Sequence, residues 1–237
     1  MLSINQLKKR YGISITTNHT GKMEGMASLS TSTLDNEYCK RNAAIPGSIC
    51  SHCYAVTQLK ARPNNHRCFS RNFKILTGWI IPDDQLPVIN SKKFRFEAFG
   101  DLGNETQFIN YLKITYANPG TTFTIWTKNP HIMENVFDKM GFKKPKNLII
   151  VISTLFIDKP VRFETIKKRW WFADKVFNVF SSKEKARELG FEINCGDNVC
   201  NMCSVCYDLE NDITEISELE KGAAKKAKKA KKKRGEK

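Results

Sequence analysis

"NLIIVISTLF", residues 147–156, is an almost uninterrupted apolar run. Such a run is typical of a strand that is buried on both faces, as in a parallel sheet. The β-branched and aromatic segment "TTFTIWTKN" (121–129) predicts a second strand before it. Between the two, "PHIMENVFDKMG" (130–141) begins with proline and ends with glycine, as helices often do. The three segments predict a strand–helix–strand unit with parallel strands.

The same alternation extends along the chain in both directions. The other predicted strands are "GMASLSTS" (25–32), "KKFRFEAFGD" (92–101) and "KVFNVFS" (175–181). The other predicted helices cover residues 64–79, 105–118, 160–174 and 181–190. These strands are too few for a closed eight-stranded barrel. We therefore predict an α/β fold, a partial and open parallel βα barrel, which would bind ligands at the carboxyl ends of its strands.

Length and hydropathy set the expected organisation and location. The 237 residues suit one large domain, and no run of eighteen apolar residues is present, so we expect no membrane span. The amino terminus lacks the apolar core of a secretory signal, which predicts a cytoplasmic protein. We expect one domain over residues 1–207, an acidic linker over 208–220 and a disordered lysine-rich tail over 221–237.

Positive charge is concentrated in the tail. The net charge is +15, and residues 221–237 contribute +9 of it. The preceding segment, 208–220, contains six acidic residues and no basic one. Basic blocks often bind polyanions, which makes nucleic acid the predicted partner of the tail. The alternative is a solvated tail that only improves solubility.

Deleting residues 221–237 is expected to weaken nucleic-acid binding and to flatten its salt dependence, because about nine positive charges are removed. Binding constants measured at several salt concentrations test this, and an unchanged slope would show that the tail does not contact phosphates. The circular dichroism spectrum should not change, since an alanine-lysine run has too little apolar surface to pack.

Eight cysteines form two groups, and disulfides are rare in the cytoplasm. The C-terminal group, Cys195, Cys200, Cys203 and Cys206, has the spacing C-x4-C-x2-C-x2-C within one short segment. Tight spacing of this kind is typical of iron–sulfur clusters, whereas structural zinc usually takes two separated pairs. We predict an iron–sulfur cluster here, with zinc as the alternative.

The N-terminal group contains Cys39, Cys50, Cys53 and Cys68. Cys50 and Cys53 have C-x2-C spacing, and Cys39 lies on the same long loop. Cys68 falls inside a predicted helix, where a lone cysteine is more often a small buried apolar residue. We predict that the first three are metal ligands and that Cys68 is spare. Three thiolates would leave one iron of a 4Fe–4S cluster open to another ligand.

Polar residues at the ends of two predicted strands are candidate cofactor ligands. Gly100 and Asp101 end the strand over 92–101, and Lys128 and Asn129 end the strand over 121–129. Glu97 lies four residues before Asp101, and even spacing in a strand would place both on one side. The sequence assigns no residue a catalytic role.

Several of these segments together resemble a phage protein family called gene product 88. The resemblance runs from about residue 20 to residue 207. It is carried by "GMASLSTS", "CSHCYA", "RFEAFGDL", "FTIWTKNP" and the closing four cysteines.

The chain is also similar, more distantly, to radical S-adenosylmethionine enzymes. That resemblance implies a partial βα barrel, three cysteines after the first strand and an auxiliary cluster on C-terminal cysteines. It also implies S-adenosylmethionine as a cofactor, with "AFGD" (98–101) in the place of a Gly-Gly-Glu turn. Two features depart from the pattern: the spacing is C-x10-C-x2-C instead of C-x3-C-x2-C, and Tyr54 follows the last cysteine instead of preceding it.

Two function hypotheses follow from the sequence. The first is a phage-type iron–sulfur protein, in the host cytoplasm, that uses redox or radical chemistry to modify a nucleotide or a macromolecule. The second is a non-enzymatic protein that binds nucleic acid, with a barrel stapled by zinc. The identity of the metal separates them.

Overall fold

Six parallel β-strands form one sheet in the computed structural model, which describes residues 13–196 and 198–220. The strands are β1 (Ala27–Leu29), β2 (Lys93–Phe96), β3 (Thr122–Thr127), β4 (Leu148–Ser153), β5 (Lys175–Phe180) and β6 (Glu215–Leu219). Their order in the sheet is their order in the chain, and every neighbouring pair is parallel. β1 and β6 are the two edges, so the sheet is not closed. The predicted α/β class, with an open parallel sheet, is confirmed.

Helices and short turns connect the strands. The α-helices of the described residues are α1 (Glu37–Ala43), α2 (Tyr54–Ala61), α3 (Pro63–Gly78), α4 (Glu105–Ala117), α5 (Pro130–Glu134), α6 (Phe163–Arg169), α7 (Lys183–Glu188) and α8 (Cys200–Cys203). Turns of 3₁₀ helix lie at Gly21–Met23, Ile49–His52, Asp83–Gln85 and Val205–Tyr207, and a π-helical turn, Asn135–Lys139, follows α5. Within the part of the chain that the structure describes, no helix combines the length and apolar character that crossing a membrane requires.

Local sequence explains where several elements begin. The Asn104 side chain accepts a hydrogen bond from the Gln107 N–H (3.0 Å) and caps α4. Ser182 caps α7 in the same way, through the Lys185 N–H (3.1 Å). Such caps satisfy N–H groups that have no partner within the helix. β4 is buried along its whole length, as its apolar run predicted.

The helix predicted over 160–174 is shorter in the structure. α6 ends at Arg169, and the next residue, Trp170, has an extended backbone and is buried. The Trp170 N–H still donates to the Ile166 carbonyl (2.8 Å). Trp171, by contrast, is half-exposed and donates its indole N–H to Asp138 (2.8 Å). The two tryptophans therefore differ in their surroundings, since the first is buried and the second lies at the surface.

The acidic segment 208–220, expected to be a linker, contains the sixth strand of the sheet. Ile216 and Ser217 are buried there, and β6 pairs in parallel with β5. The Glu215 carboxylate accepts hydrogen bonds from Arg162 Nη1 (2.8 Å) and from the Phe163 N–H (2.8 Å). Glu215 is thus matched by donors on another element, and the acidic composition of the segment did not exclude a strand.

One face of the sheet packs against the helices through aromatic side chains. The Phe96 ring stacks on Tyr111 of α4 (4.2 Å between centroids) and on Phe123 of β3 (5.2 Å). All three rings are fully buried. Burying a side chain of this size contributes about 1.5–3 kcal/mol to the free energy of unfolding, so this cluster holds α4 on the sheet.

The opposite face, called the cysteine face below, carries Arg95, Trp126, Ile149, Val151 and Phe177. Because side chains alternate along a strand, these residues point away from the aromatic core. Val205 and Cys206 belong to the same apolar cluster as Ile149 and Val151. The C-terminal cysteine segment therefore covers this face of the sheet.

Candidate functional site

The N-terminal cysteines lie on the long connection between β1 and β2. Cys39 is in α1, Cys50 is in the turn Ile49–His52, and Cys53 immediately precedes α2. The connection begins where β1 ends. The carboxyl ends of parallel strands are where ligands bind in α/β folds, so the three thiols start from the expected edge of the sheet.

Three hydrogen bonds tie this connection to loops that follow other strands. They join Asn36 Nδ2 to the Asp101 carbonyl (2.8 Å), the Tyr38 hydroxyl to the Lys128 carbonyl, and the Ile49 N–H to the Leu155 carbonyl (2.8 Å). The accepting carbonyls follow β2, β3 and β4 respectively. The cysteine connection is thus fixed across the carboxyl ends of four neighbouring strands.

The three thiols share one electrostatic environment. Burial raises the pKa of Cys39, and negative charge on Asp101, Cys50 and Cys53 raises it further. Burial also raises the pKa of Cys50, against the lowering effect of the Lys128 charge. A metal cation favours the thiolate form and releases the proton on binding. A cation bound near Cys39 and Cys50 would therefore favour their thiolates.

Cys68 lies on α3, one residue before the buried Phe69. It is half-buried. A helical backbone restricts the direction of its side chain, whereas the other three N-terminal cysteines are at or near helix ends and turns. That it is spare stays a prediction.

Asp101 organises the ends of β2 and β3. Its Oδ1 accepts hydrogen bonds from the Leu102 N–H (2.8 Å) and the Thr127 hydroxyl (2.5 Å). Its Oδ2 accepts one from the Lys128 N–H (3.0 Å), and Asn129 Nδ2 donates to the Leu102 carbonyl (3.2 Å). Asp101 is 6% exposed. The predicted ligands from the two loops do meet in one patch, where the Asp101 carboxylate is occupied in holding the loops together.

Glu97 is a second buried carboxyl group at this edge. β2 ends at Phe96, and Glu97 has a positive φ of 56°, so the alternation of the strand does not continue to it. The prediction that Glu97 and Asp101 share one side through strand spacing is therefore wrong. The Glu97 carboxylate turns towards α4 and accepts hydrogen bonds from the Tyr111 hydroxyl and from Gln107 Nε2 (2.6 Å). Burial raises the pKa of Glu97 to about 8.

Gly100 has no room for a side chain. A Cβ atom there would lie 2.2 Å from Glu97 Oε2 and 2.3 Å from Thr31 Oγ1. Thr31 follows β1 and donates to the Glu97 carboxylate from its N–H (3.1 Å) and its hydroxyl (2.9 Å). Gly100 therefore allows the loop after β2 to pass directly against this pair, and a cofactor could contact Gly100 only through its backbone.

The C-terminal cysteines follow one another across the cysteine face. Cys195 bridges to β6 beside Glu218, Cys200 and Cys203 are in α8, and Cys206 is in the turn Val205–Tyr207. Ser204 has a φ of 62°, which reverses the chain between α8 and that turn. The Thr124 hydroxyl donates to the Cys206 carbonyl (3.1 Å) and anchors the segment on β3.

Basic side chains approach this segment from neighbouring elements. Lys22 Nζ lies 3.7 Å from Cys195 Sγ and forms an ion pair with Glu218. Lys93 Nζ donates to the Asn201 carbonyl of α8 (2.7 Å). The C-terminal cysteine segment thus has two lysines beside it, of which Lys22 is paired with the Glu218 carboxylate.

Arg95 is a third basic side chain on this face, and it is partly exposed. Its guanidinium lies 3.8 Å from the centroid of the Trp126 ring. Its Nε atom is shielded from solvent and has no hydrogen-bond partner among the described residues. Burial lowers the pKa of Arg95, whereas negative charge on Tyr207, Cys200 and Cys206 raises it, and the net direction is upward.

Sequence reasoning missed these basic residues, although a signal for two of them was present. Lys93 and Arg95 alternate with Phe94 and Phe96 in β2. Period-two alternation places both cations on the face opposite to the aromatic core.

No group of three or more His, Cys, Asp or Glu side chains among residues 13–196 and 198–220 is arranged so that it could hold a metal ion. The geometry therefore does not support the cysteine-rich metal-binding loops, and both centres stay predictions. The chemistry of the donors is nevertheless suitable, since all eight cysteines are free of disulfides. The unpaired Arg95 Nε beside the C-terminal group also fits an anionic centre there.

A family model described as gene product 88 matches residues 6–235, which include both cysteine groups. The resemblance to that family is thereby confirmed. No curated protein and no solved structure matches the chain, so that the more distant likeness to radical S-adenosylmethionine enzymes is not shown.

Proposed function

The chain belongs to the gene product 88 family, and we propose that it is an iron–sulfur protein that carries out redox or radical chemistry on a nucleotide or a macromolecule. The observation that carries the proposal is the position of Cys39, Cys50 and Cys53. They follow β1 and are fixed at the carboxyl end of an open parallel sheet. Ligands and chemistry occupy this edge in parallel βα folds.

The connectivity of the sheet supports a partial barrel. In a sequentially ordered sheet with right-handed crossovers, all connecting helices lie on one face, because the winding direction never reverses. A doubly wound sheet reverses direction and places helices on both faces. Here the strand order never reverses, and α4 packs on the aromatic face while the cysteine segment covers the other. The scaffold thus resembles a βα barrel that has six strands instead of eight.

The N-terminal cysteines would hold a cluster with one iron free of protein ligands. When bound, such a cluster supplies single electrons next to an open coordination site. Burial keeps the pKa of Cys39 and Cys50 high, and the positive charge of Lys128 favours the thiolate of Cys50. The Tyr54 hydroxyl donates to the Ala98 carbonyl (2.5 Å) and links the residue after Cys53 to the loop after β2.

S-adenosylmethionine is the cofactor that the proposal assigns to this edge. Gly100, Asp101, Lys128 and Asn129 line the loops that would receive it. Asp101 would act by orienting the loops, since its oxygens already accept three hydrogen bonds. The Lys128 ammonium group would contact an anionic part of the cofactor or substrate.

A second candidate function uses the same cysteines with zinc. Zinc centres would then have a structural role and stabilise the fold. The basic tail would bind nucleic acid in the cytoplasm of the host. The positive charge of residues 221–237 favours nucleic acid as a partner for both candidate functions. The tail itself lies outside the described residues.

Protein purified without oxygen is expected to be brown and to contain iron and acid-labile sulfide in equal amounts. Two 4Fe–4S clusters would give roughly eight irons per chain. Iron, zinc and sulfide are measured on the same sample. Adding S-adenosylmethionine should change the electron paramagnetic resonance (EPR) signal of the reduced N-terminal cluster.

The matched control replaces Cys195, Cys200, Cys203 and Cys206 by serine. This variant should keep about half of the iron and the full response to S-adenosylmethionine. Stoichiometric zinc without sulfide in the unmodified protein would contradict the proposal and favour the zinc-stapled protein.

A further inference from the structure

A basic and aromatic surface lies at the edge of the sheet opposite to the N-terminal cysteines. Residues 138–146 precede β4 and residues 167–174 precede β5, so both segments lie at the amino ends of their strands. Together they contain seven basic residues and two acidic ones, and neither contains a cysteine. This surface, called the basic patch below, is therefore a feature of its own, which the chemistry of the cysteines does not explain.

Side-chain contacts join the two segments of the basic patch. The Trp171 indole N–H donates to Asp138 Oδ1 (2.8 Å), and Lys144 Nζ donates to Asp174 Oδ2 (2.6 Å). The Trp171 ring also lies against Phe137, with 5.6 Å between the ring centroids. The two segments are thus held side by side and form one continuous surface.

Most cations of the basic patch have no counter-charge within the described residues. Lys144 pairs with Asp174. The other basic side chains are exposed, and each lies more than 4 Å from the carboxylate oxygens of the described residues: Lys139, Lys143, Lys146, Lys167, Lys168 and Arg169. The patch therefore presents uncompensated positive charge to solvent, which attracts anionic partners.

The carboxylates on and beside these elements leave this charge in place. Asp138 is occupied by the indole, and Glu134 contacts His131 (3.1 Å). Glu164 is in the first turn of α6, whereas the basic residues of that helix are in its last turn. The acidic segment 208–212 borders the patch only on the side of Lys167, where Leu209 and Asn211 line the same cleft. The lysines of residues 138–146 belong to the other segment of the patch.

Two exposed aromatic rings lie among these lysines. Trp171 is 51% exposed, and Tyr116 of α4 is 50% exposed. The Tyr116 hydroxyl donates to the Lys143 carbonyl, and Asp138 holds the indole at one edge. A ring that is fixed at one edge and open to solvent can stack on a base with little loss of conformational freedom.

We propose that the basic patch binds single-stranded nucleic acid, with the Trp171 ring stacked on a base and the surrounding lysines in contact with phosphates. Cations alone would attract any polyanion, whereas exposed rings among them favour unpaired bases. In a duplex the bases are already stacked on one another, so the ring would find none to contact. The inference goes beyond the proposed function and does not depend on which metal the cysteines bind.

The test measures binding of labelled deoxythymidine and uridine oligonucleotides to the full-length protein by fluorescence anisotropy. Trp171→Ala should weaken binding of the preferred oligonucleotide about tenfold, because the stacking contact is lost. Trp171→Phe should restore most of the affinity, since the ring is kept. The matched control is Trp79→Ala: Trp79 is 46% exposed next to α3, and its loss should leave the affinity unchanged.

An abasic strand of the same length separates the basic patch from the lysine-rich tail. Residues 221–237 are present in every variant and would bind phosphates whether or not bases are attached. Trp171→Ala should therefore bind the abasic strand as tightly as the unmodified protein does. An equal loss of affinity for both strands would show that Trp171 acts without contacting bases and would overturn the stacking role.

A lysine variant tests the phosphate contacts independently. Lys139→Gln combined with Lys143→Gln should reduce the slope of log affinity against log salt concentration by about 1.4, because two phosphate contacts with a single strand are lost. The matched control is Lys60→Gln combined with Lys183→Gln, which removes two exposed lysines from α2 and α7 and should leave the slope unchanged.

The remaining outcomes also decide the matter. Unchanged affinity of Trp171→Ala for both oligonucleotides would overturn the proposal. If Trp171→Ala does not fold, the lysine variant decides, and an unchanged salt slope would exclude the basic patch as a nucleic-acid surface. Polyglutamate that binds as tightly as the oligonucleotides, with the same dependence on Lys139 and Lys143, would show a site for acidic proteins instead.

Discussion

Replacing Cys53 by serine is expected to empty the N-terminal centre while the C-terminal centre stays loaded. Cys53 precedes α2 and shares its loop with Cys50, whose charge interacts with it. Serine is close to isosteric, so the fold should survive while the thiolate ligand is lost. Iron and sulfide per chain should fall by about half, and one of the two reduced cluster signals should disappear.

The control for this prediction is Cys68→Ser. Cys68 is half-buried on α3, and its replacement should keep all of the metal, with a loss of roughly 1 kcal/mol in the free energy of unfolding. If Cys68→Ser loses metal as completely as Cys53→Ser, the first centre has four protein ligands. An iron open to a cofactor would then be excluded, and a structural centre would explain both groups of cysteines better.

The repeating strand–helix units of the fold could be predicted because they follow local rules. The apolar run of β4 and the aromatic alternation of β3 predicted strands within one to three residues of their observed bounds. The apolar periodicity of residues 105–118 predicted α4 to within one residue of its observed bounds. In these elements, local propensity and tertiary packing favour the same structure.

β6 could not be predicted because its stability comes from distant partners. Its acidic residues read as a linker, but Glu215 pairs with Arg162, and Glu218 pairs with Lys22. Both contacts join residues more than fifty positions apart in sequence. Only the three-dimensional arrangement shows that this segment carries a strand.

The sequence predicted that the loops of Asp101 and Lys128 would meet at one edge of the sheet, and they do. The role of Cys39, Cys50 and Cys53 as one set of metal ligands stays a prediction. The orientation of Glu97 could not be predicted from strand spacing, because Glu97 itself has a left-handed backbone conformation and ends the alternation of β2. Such a conformation costs about 1–2 kcal/mol in an isolated residue, and here the bonds to Thr31 and Tyr111 offset it.

Gly100→Ala is expected to lower the free energy of unfolding by about 2–3 kcal/mol, because the added Cβ would overlap two buried oxygen atoms. It would lie 2.2 Å from Glu97 Oε2, 2.3 Å from Thr31 Oγ1 and 3.0 Å from the Thr31 carbonyl. Neither partner is free to move. Glu97 is held by Tyr111 and Gln107, and the Thr31 carbonyl is backbone.

The thermal midpoint, followed by circular dichroism, should fall by roughly 5–10 °C for a chain of this size. Gly78→Ala is the matched control, since nothing lies within 4 Å of a Cβ at this exposed end of α3. It should change the free energy of unfolding by less than about 1 kcal/mol. Thr31 precedes the cysteine connection, so displacing it should also lower the iron content of the N-terminal centre in Gly100→Ala. Equal midpoints for the two alanine variants would mean that Gly100 does not pack against the Glu97–Thr31 pair, and the loop after β2 would then have room for a cofactor at this position.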